Sequence, residues 1–264
     1  MPTLDDLDRR IRTALTNEPD VSHALAYGSR TQRLNGQRLD DEFSDLEYYA
    51  YLRPGTVLDV RAFLEHLTPL LLYVVNDFGT PNAVTPELHR VELHAAQADQ
   101  MSDILAWPNS HADVSAMPIK DEDGALAHLL VQWTSGPSWT PGEAQTIYDQ
   151  TLNWLVFAAA VSGRGEQLRA AEFLGWVRGG LTRLARFALH SPQFPAATRF
   201  AERDLGLWAQ QILQVDGGTQ AIIRAISTCR RQATELELNV HAELLDKLEE
   251  RLEWQLRLER RRRN

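Results

Sequence analysis

The chain has 264 residues, of which 44% are hydrophobic and 24% charged, and a formal net charge of −9. That balance describes a soluble globular protein with enough apolar residues for a sizeable core and enough length for two domains, and it argues against broad nucleic-acid binding, which needs many Lys and Arg against the phosphates. A lone cysteine, Cys229, leaves no disulfide framework and no Cys-based metal cluster, and points to a reducing cytoplasm.

The start, MPTLDDLDRR, lacks the basic region and apolar stretch of a signal peptide, and runs such as WLVFAAAV are far too short for a membrane span. Leu4, Leu7, Ile11 and Leu15 recur at helical spacing, with Thr3 as N-cap and Asp5 and Asp6 in the first turn, and predict an amphipathic helix over 3–16. Short apolar or alternating runs follow: HALAYG, DLEYYAYL, LLYVVN, AVT, RVELHAA and AMPIK. Turn residues such as Pro54-Gly55, Gly79-Thr80-Pro81 and Asp123-Gly124 separate them, so they read as strands. Helix-like stretches at 59–68 and 99–106 interrupt the strands and predict a mixed sheet with helices packed on it.

The pattern changes near TSGPSWTPGEAQ, where Thr140, Pro141 and Glu143 supply an N-cap, a first helical position and a capping-box acid. Beyond it the apolar spacing is helical through 143–162, 165–190, 197–215, 219–238 and 240–258. The reading is therefore α+β: a mixed-sheet catalytic domain over 1–138 followed by a helical bundle over 139–264.

The chemistry concentrates in AYGSRTQRLNGQRLDDEFSDLEYYAYL, residues 26–52. On a strand, Asp45 and Glu47 share a face because side chains alternate with a period of two. Two carboxylates aimed at one spot repel unless a cation lies between them, and oxygen ligands suit a hard ion such as Mg²⁺. Gly28-Ser29, just after a strand, allows close backbone approach to a phosphate and offers amides and a hydroxyl to its oxygens. On RVELHAA, Glu92 and His94 share a face, and a carboxylate there can bind the metal and accept a proton from an attacking hydroxyl. Together these groups suit nucleotidyl transfer.

The set Gly28-Ser29, Ser44-Asp45-Leu46-Glu47 and Glu92 resembles the polymerase-β-like nucleotidyltransferase superfamily, with its Gly-Ser followed by Asp-x-Asp or Asp-x-Glu. YGSRT, FSDLEYYAYL, YVVNDFGT and HRVELH, followed by an all-helical half, look similar to two-domain lincosamide nucleotidyltransferases, which act in antibiotic resistance. The likeness is sharp over roughly the first 125 residues. It implies Asp45, Glu47 and Glu92 as ligands of two Mg²⁺ ions, Glu92 as catalytic base, and Gly28 and Ser29 on the triphosphate of ATP or another NTP. It also implies AMP transfer to a hydroxyl of a small-molecule acceptor, a helical half that completes the acceptor site, and a homodimer. The segment RLNGQRLDDE lengthens the gap between Ser29 and Asp45 beyond the family's usual spacing.

Two other functions share these residues: a protein-modifying nucleotidyltransferase of the antitoxin type, and a nucleotide-binding protein without turnover. His94 reads as a satisfied histidine beside the sheet or a partner of Glu92, and Tyr48, Tyr49 and Tyr51 as sheet packing, with Tyr49 and Tyr51 on the carboxylate face. Arg178, Arg183 and Arg186 read as a solvated helix face. Leu245, Leu248, Leu252 and Trp254 form a stripe that either caps the bundle or pairs with a second copy, and Arg260 to Arg263 read as a solvated tail.

Overall fold

The computed structural model describes residues 3–77, 79–107, 111–134, 141–191 and 196–263. The chain divides into two compact units, Met1–Pro137 and Ser138–Asn264. In the first, Thr3 caps α1 (Leu4–Asn17) through a reciprocal capping box with Asp6, and Leu4, Leu7, Ile11 and Leu15 are all buried. The strands are β1 (Val21–Tyr27), the short hairpin β2 (Arg33–Leu34) and β3 (Gln37–Arg38), β4 (Leu46–Leu52), β5 (Leu72–Val75), β6 (Pro81–Val84), β7 (Arg90–Gln97) and β8 (Pro118–Asp121). Two helices, α2 (Val60–Leu67) and α3 (Ala125–Thr134), complete this unit.

Six strands make one sheet in the order β5-β6-β7-β4-β1-β8, in which only β4 and β7 run parallel. The two-residue period sorts its faces. Leu46, Tyr48, Ala50 and Leu52 share a core with α1 and α2, whereas Tyr49 and Tyr51 face the 3-10 stretch Ala98–Ala106 and α3. Tyr48 lies under α1 and donates to Asp8 at 2.5 Å, which makes it a packing residue.

The second unit contains α4 (Pro141–Gly163), α5 (Gln167–Ala188), α6 (Ala201–Leu205), α7 (Leu207–Leu213), α8 (Gly218–Glu235) and α9 (Ala242–Arg263). Leu155, Leu174, Leu181, Ile226 and Cys229 are fully buried in its core, and burial pushes the Cys229 thiol up to about 12. Leu245, Leu248 and Leu252 of α9 join that core, so this stripe is used within the bundle, while Trp254 is exposed. Among the described residues, no helix is long and apolar enough to cross a membrane.

Several local expectations change. The stretch at 99–106 is 3-10, and α3 lies where no helix was expected, because ALAHLLVQWT is nearly apolar throughout and shows little amphipathic period. The single helix expected over 197–215 is two, divided at Gly206, whose φ is 51°. The segment after Ser29 forms the β2–β3 hairpin, with Asn35 and Gly36 both at positive φ as a two-residue type I′ turn requires. Arg186 is fully buried and not solvated: it donates to the carbonyls of Ala197 and Arg199 and to Ser191 and pairs with Asp204 at 3.2 Å. Thr140, the expected cap of α4, and the side chains of Arg260 to Arg263 lie outside the described residues.

Helices α4 and α5 approach closely at Gly180, where an added Cβ would sit 2.0 Å from Thr151 Oγ1 and 3.1 Å from its Cβ. Gly180→Ala should therefore lower stability by about 1–3 kcal/mol in urea unfolding, although alanine is the better helix former. Adding Thr151→Ala, which removes the clashing hydroxyl, should recover most of that loss; an undiminished loss in the double variant would place the strain elsewhere.

Candidate active site

The carboxylate group is set by strand register. Parallel pairing of β4 with β7 places Glu47 opposite Glu92 and Tyr49 opposite His94, so each pair shares one face. Atoms of Glu47, Glu92 and His94 lie within 4.8 Å of one another, close enough to share one ion. Asp45 immediately precedes β4 and joins the group through Arg90, which donates to Asp45 Oδ2 at 2.8 Å and also pairs with Glu92.

Arg90 is the site residue that the sequence reading missed. Its signal was present, since Arg90, Glu92 and His94 alternate along β7 and so project from one face. Asn82 was missed as well. It pairs in register with Glu92 across β6 and β7, and its buried Oδ1 has no hydrogen-bond partner. Its place follows from the β6–β7 hairpin, whose short connection over 85–89 sets the register of Asn82 against Glu92.

Glu47 is the most perturbed acid. Burial pushes its carboxyl up to about 7; the hydrogen bond from the Tyr49 hydroxyl at 3.1 Å opposes this, the charges of Glu92 and Asp45 add to it, and Arg90 acts against it. His94 stacks on Tyr49 with ring centroids 4.1 Å apart, and its Nε2 is 3.9 Å from Glu92 without a hydrogen-bond partner. It is thus a neighbour of Glu92 and not a satisfied histidine. Burial lowers its basicity, and Glu92 partly offsets that.

Gly28 and Ser29 lie in a 3-10 turn, Gly28–Thr31, that ends β1. Tyr27 and Glu47 pair across β1 and β4, which brings Gly28 against the acid. A Cβ on Gly28 would lie 3.1 Å from Glu47 Oε2, and φ is +76°, so glycine is required here for both space and conformation. Ser29 is buried and its hydroxyl has no hydrogen-bond partner. Arg30 holds the turn in place and is committed: it pairs with Asp5, with Asp8 at 3.4 Å and with Asp40 at 3.2 Å.

Beyond His94 the same face opens into a cavity of about 540 Å³, whose walls include Tyr49, Tyr51, Tyr73, Trp107, Asp59 and Asp103. Among the described residues, no Lys or Arg lines it. Tyr27 and Trp107 pack edge-on at 5.2 Å and Tyr49 and Trp107 tilt together at 4.1 Å, giving the carboxylates a rigid aromatic floor.

Glu47, Glu92 and His94 place two carboxylates and an imidazole nitrogen close enough to share one divalent cation, and Asp45, outside that group, adds a carboxylate beside it through Arg90. Because the folded-state value of Glu47 lies above its ordinary 4.5, the folded chain binds this proton more tightly than the unfolded chain, and this contribution to stability falls as pH rises from about 4.5 to 7. In chelator, Glu47→Gln should raise Tm relative to wild type at about pH 8 and leave it unchanged near pH 4. Equal effects at both pH values would show that the carboxyl is not the titrating group.

No family model and no curated protein sequence matches the chain. Among solved structures, it is similar to an aminoglycoside 6-adenyltransferase from Bacillus subtilis, at 13% identity and a TM-score of 0.40 over 95% of this chain and 97% of that one. It is also similar to a nucleotidyltransferase-like protein from Exiguobacterium sibiricum 255-15, at 15% identity and a TM-score of 0.42 over 88% of this chain and 74% of that one.

Proposed function

We propose that this chain is a Mg²⁺-dependent nucleotidyltransferase that moves a nucleoside monophosphate, with AMP from ATP the first to test, onto a hydroxyl of a small molecule. The observation that carries this reading is the in-register pair Glu47 and Glu92, with Asp45 beside it and a glycine turn bearing an unpartnered buried serine hydroxyl against it.

In this reading, Gly28 lets the backbone approach the triphosphate and Ser29 donates its free hydroxyl to a phosphate oxygen. Asp45, Glu47 and Glu92 would hold Mg²⁺, which when bound supplies charge neutralisation at the phosphates and orients the acceptor oxygen. Glu92, next to the cavity through His94, accepts the proton from the acceptor hydroxyl. The new oxygen–phosphorus bond forms at the α-phosphate as the bond to pyrophosphate breaks, with the two oxygens in line. The acceptor occupies the aromatic cavity. Asp59 and Asp103 on its walls offer oxygens to the acceptor's hydroxyls, while Arg61, over the Tyr73 ring at 5.7 Å, brings positive charge close to Asp59.

The test is incubation with Mg²⁺, α-labelled ATP and a panel of hydroxylated compounds that includes lincosamides and aminoglycosides, with label followed into product and pyrophosphate measured. Asp45→Ala should lose transfer while its circular dichroism stays unchanged, since the side chain is half exposed and outside the strand. Transfer surviving in Asp45→Ala would sink the metal assignment. Ser29→Ala gives an independent check. With no hydrogen bond to lose, its stability should stay within about 0.5 kcal/mol of wild type, while KM for the nucleotide rises several-fold. A stability loss without a KM change would make Ser29 a packing residue.

A further inference from the structure

Arg90 bridges two of the three carboxylates that the proposed reaction gives to a metal. It is half exposed, and among the described residues its ion pairs are with Asp45 and Glu92. A divalent ion held by the same two carboxylates would compete with the guanidinium for their charge, and two cations so close would repel. The two occupants therefore compete.

We propose that Arg90 is the resident counter-ion of the carboxylate set in the metal-free chain, that a divalent cation displaces it from Asp45 and Glu92, and that the freed guanidinium then pairs with the nucleotide's phosphates. This rests on the reading of the site as a metal-dependent transferase. Three features support the exchange. The guanidinium of Arg90 and its partner Asp45 are both nearly half exposed, so water can take over that pair when it opens. The planar fork of arginine matches phosphate as well as it matches carboxylate, so the side chain has a second partner of the same geometry. The position on β7, two residues before Glu92, holds the released group beside the ligand that the metal brings. Arg30, within the proposed phosphate turn itself, is bound to three aspartates and is not available for that role. Arg90 is thus a positioning residue: it holds the acids together before loading and makes metal entry and nucleotide entry favour each other.

The test measures Mn²⁺ binding by the electron paramagnetic resonance signal of the free ion, in the full chain without nucleotide. Arg90→Gln should bind Mn²⁺ about tenfold more tightly than wild type, because the competing cation is gone. Its KM for the nucleotide should rise, since the phosphate partner is lost. Arg90→Lys, a point charge that cannot bridge both carboxylates, should fall between the two, and it carries the test if Arg90→Gln does not fold. Arg9→Gln, which removes the same charge from an exposed site on α1, is the control for net charge. Mn²⁺ affinity that is unchanged, weakened, or raised no more than in Arg9→Gln would overturn the exchange while leaving the metal site intact. If neither wild type nor any variant binds Mn²⁺, with or without ATP, the metal-dependent reading itself fails and the exchange falls with it.

Discussion

Two carboxylates held opposite each other on adjacent parallel strands repel, and the partly buried position of Glu47 and Glu92 makes that repulsion harder for water to screen. Much of the first unit's local chemistry can be read as a response to this constraint. Arg90 brings positive charge to Glu92 and Asp45. The Tyr49 hydroxyl donates to Glu47, whose carboxyl nevertheless binds its proton far more tightly than a free acid. Gly28, with no side chain to intrude, closes over the other carboxylate oxygen. A site that concentrates negative charge this way costs stability and gains affinity for cations.

The scaffold keeps the acids from drifting apart. Below them lie the aromatic contacts of Tyr27, Tyr49, Trp107 and Trp133, with the Trp133 indole donating to the Trp107 carbonyl at 2.8 Å. Beside them, Arg30 ties the Gly28–Thr31 turn to α1 and to Asp40. The segment between that turn and β4 therefore has a structural use: a tight hairpin returns the chain, and Asp40 supplies a buried anchor for Arg30. In the second unit, the buried Arg186 plays a comparable part by gathering the carbonyls of Ala197 and Arg199 and the Asp204 carboxylate around one guanidinium.

Much of this was legible in the residue order. Alternation located β1, β4 and β7, helical spacing located α1, α4, α5, α8 and α9, and a two-residue period put Tyr49 and Tyr51 on the face of Glu47. The less legible parts have specific causes. Helix α3 is apolar on nearly every side, and 3-10 and α periods are indistinguishable over the nine residues of Ala98–Ala106. Arg186 read as surface because charge is normally solvated, and its burial depends on carbonyls that only the fold brings near.

What the sequence by itself determined was local: which residues are strand or helix, which side chains share a face, and which short motif couples a glycine turn to a pair of acids. Those follow from backbone periods and from the conformations open to glycine, which act over a few residues. The tertiary structure alone decided that β4 and β7 pair in parallel and in this register, so that Glu92 stands opposite Glu47 and Arg90 lies between Asp45 and Glu92. Pairing between strands more than thirty residues apart is settled by the burial of whole faces, a property that no local stretch of sequence contains.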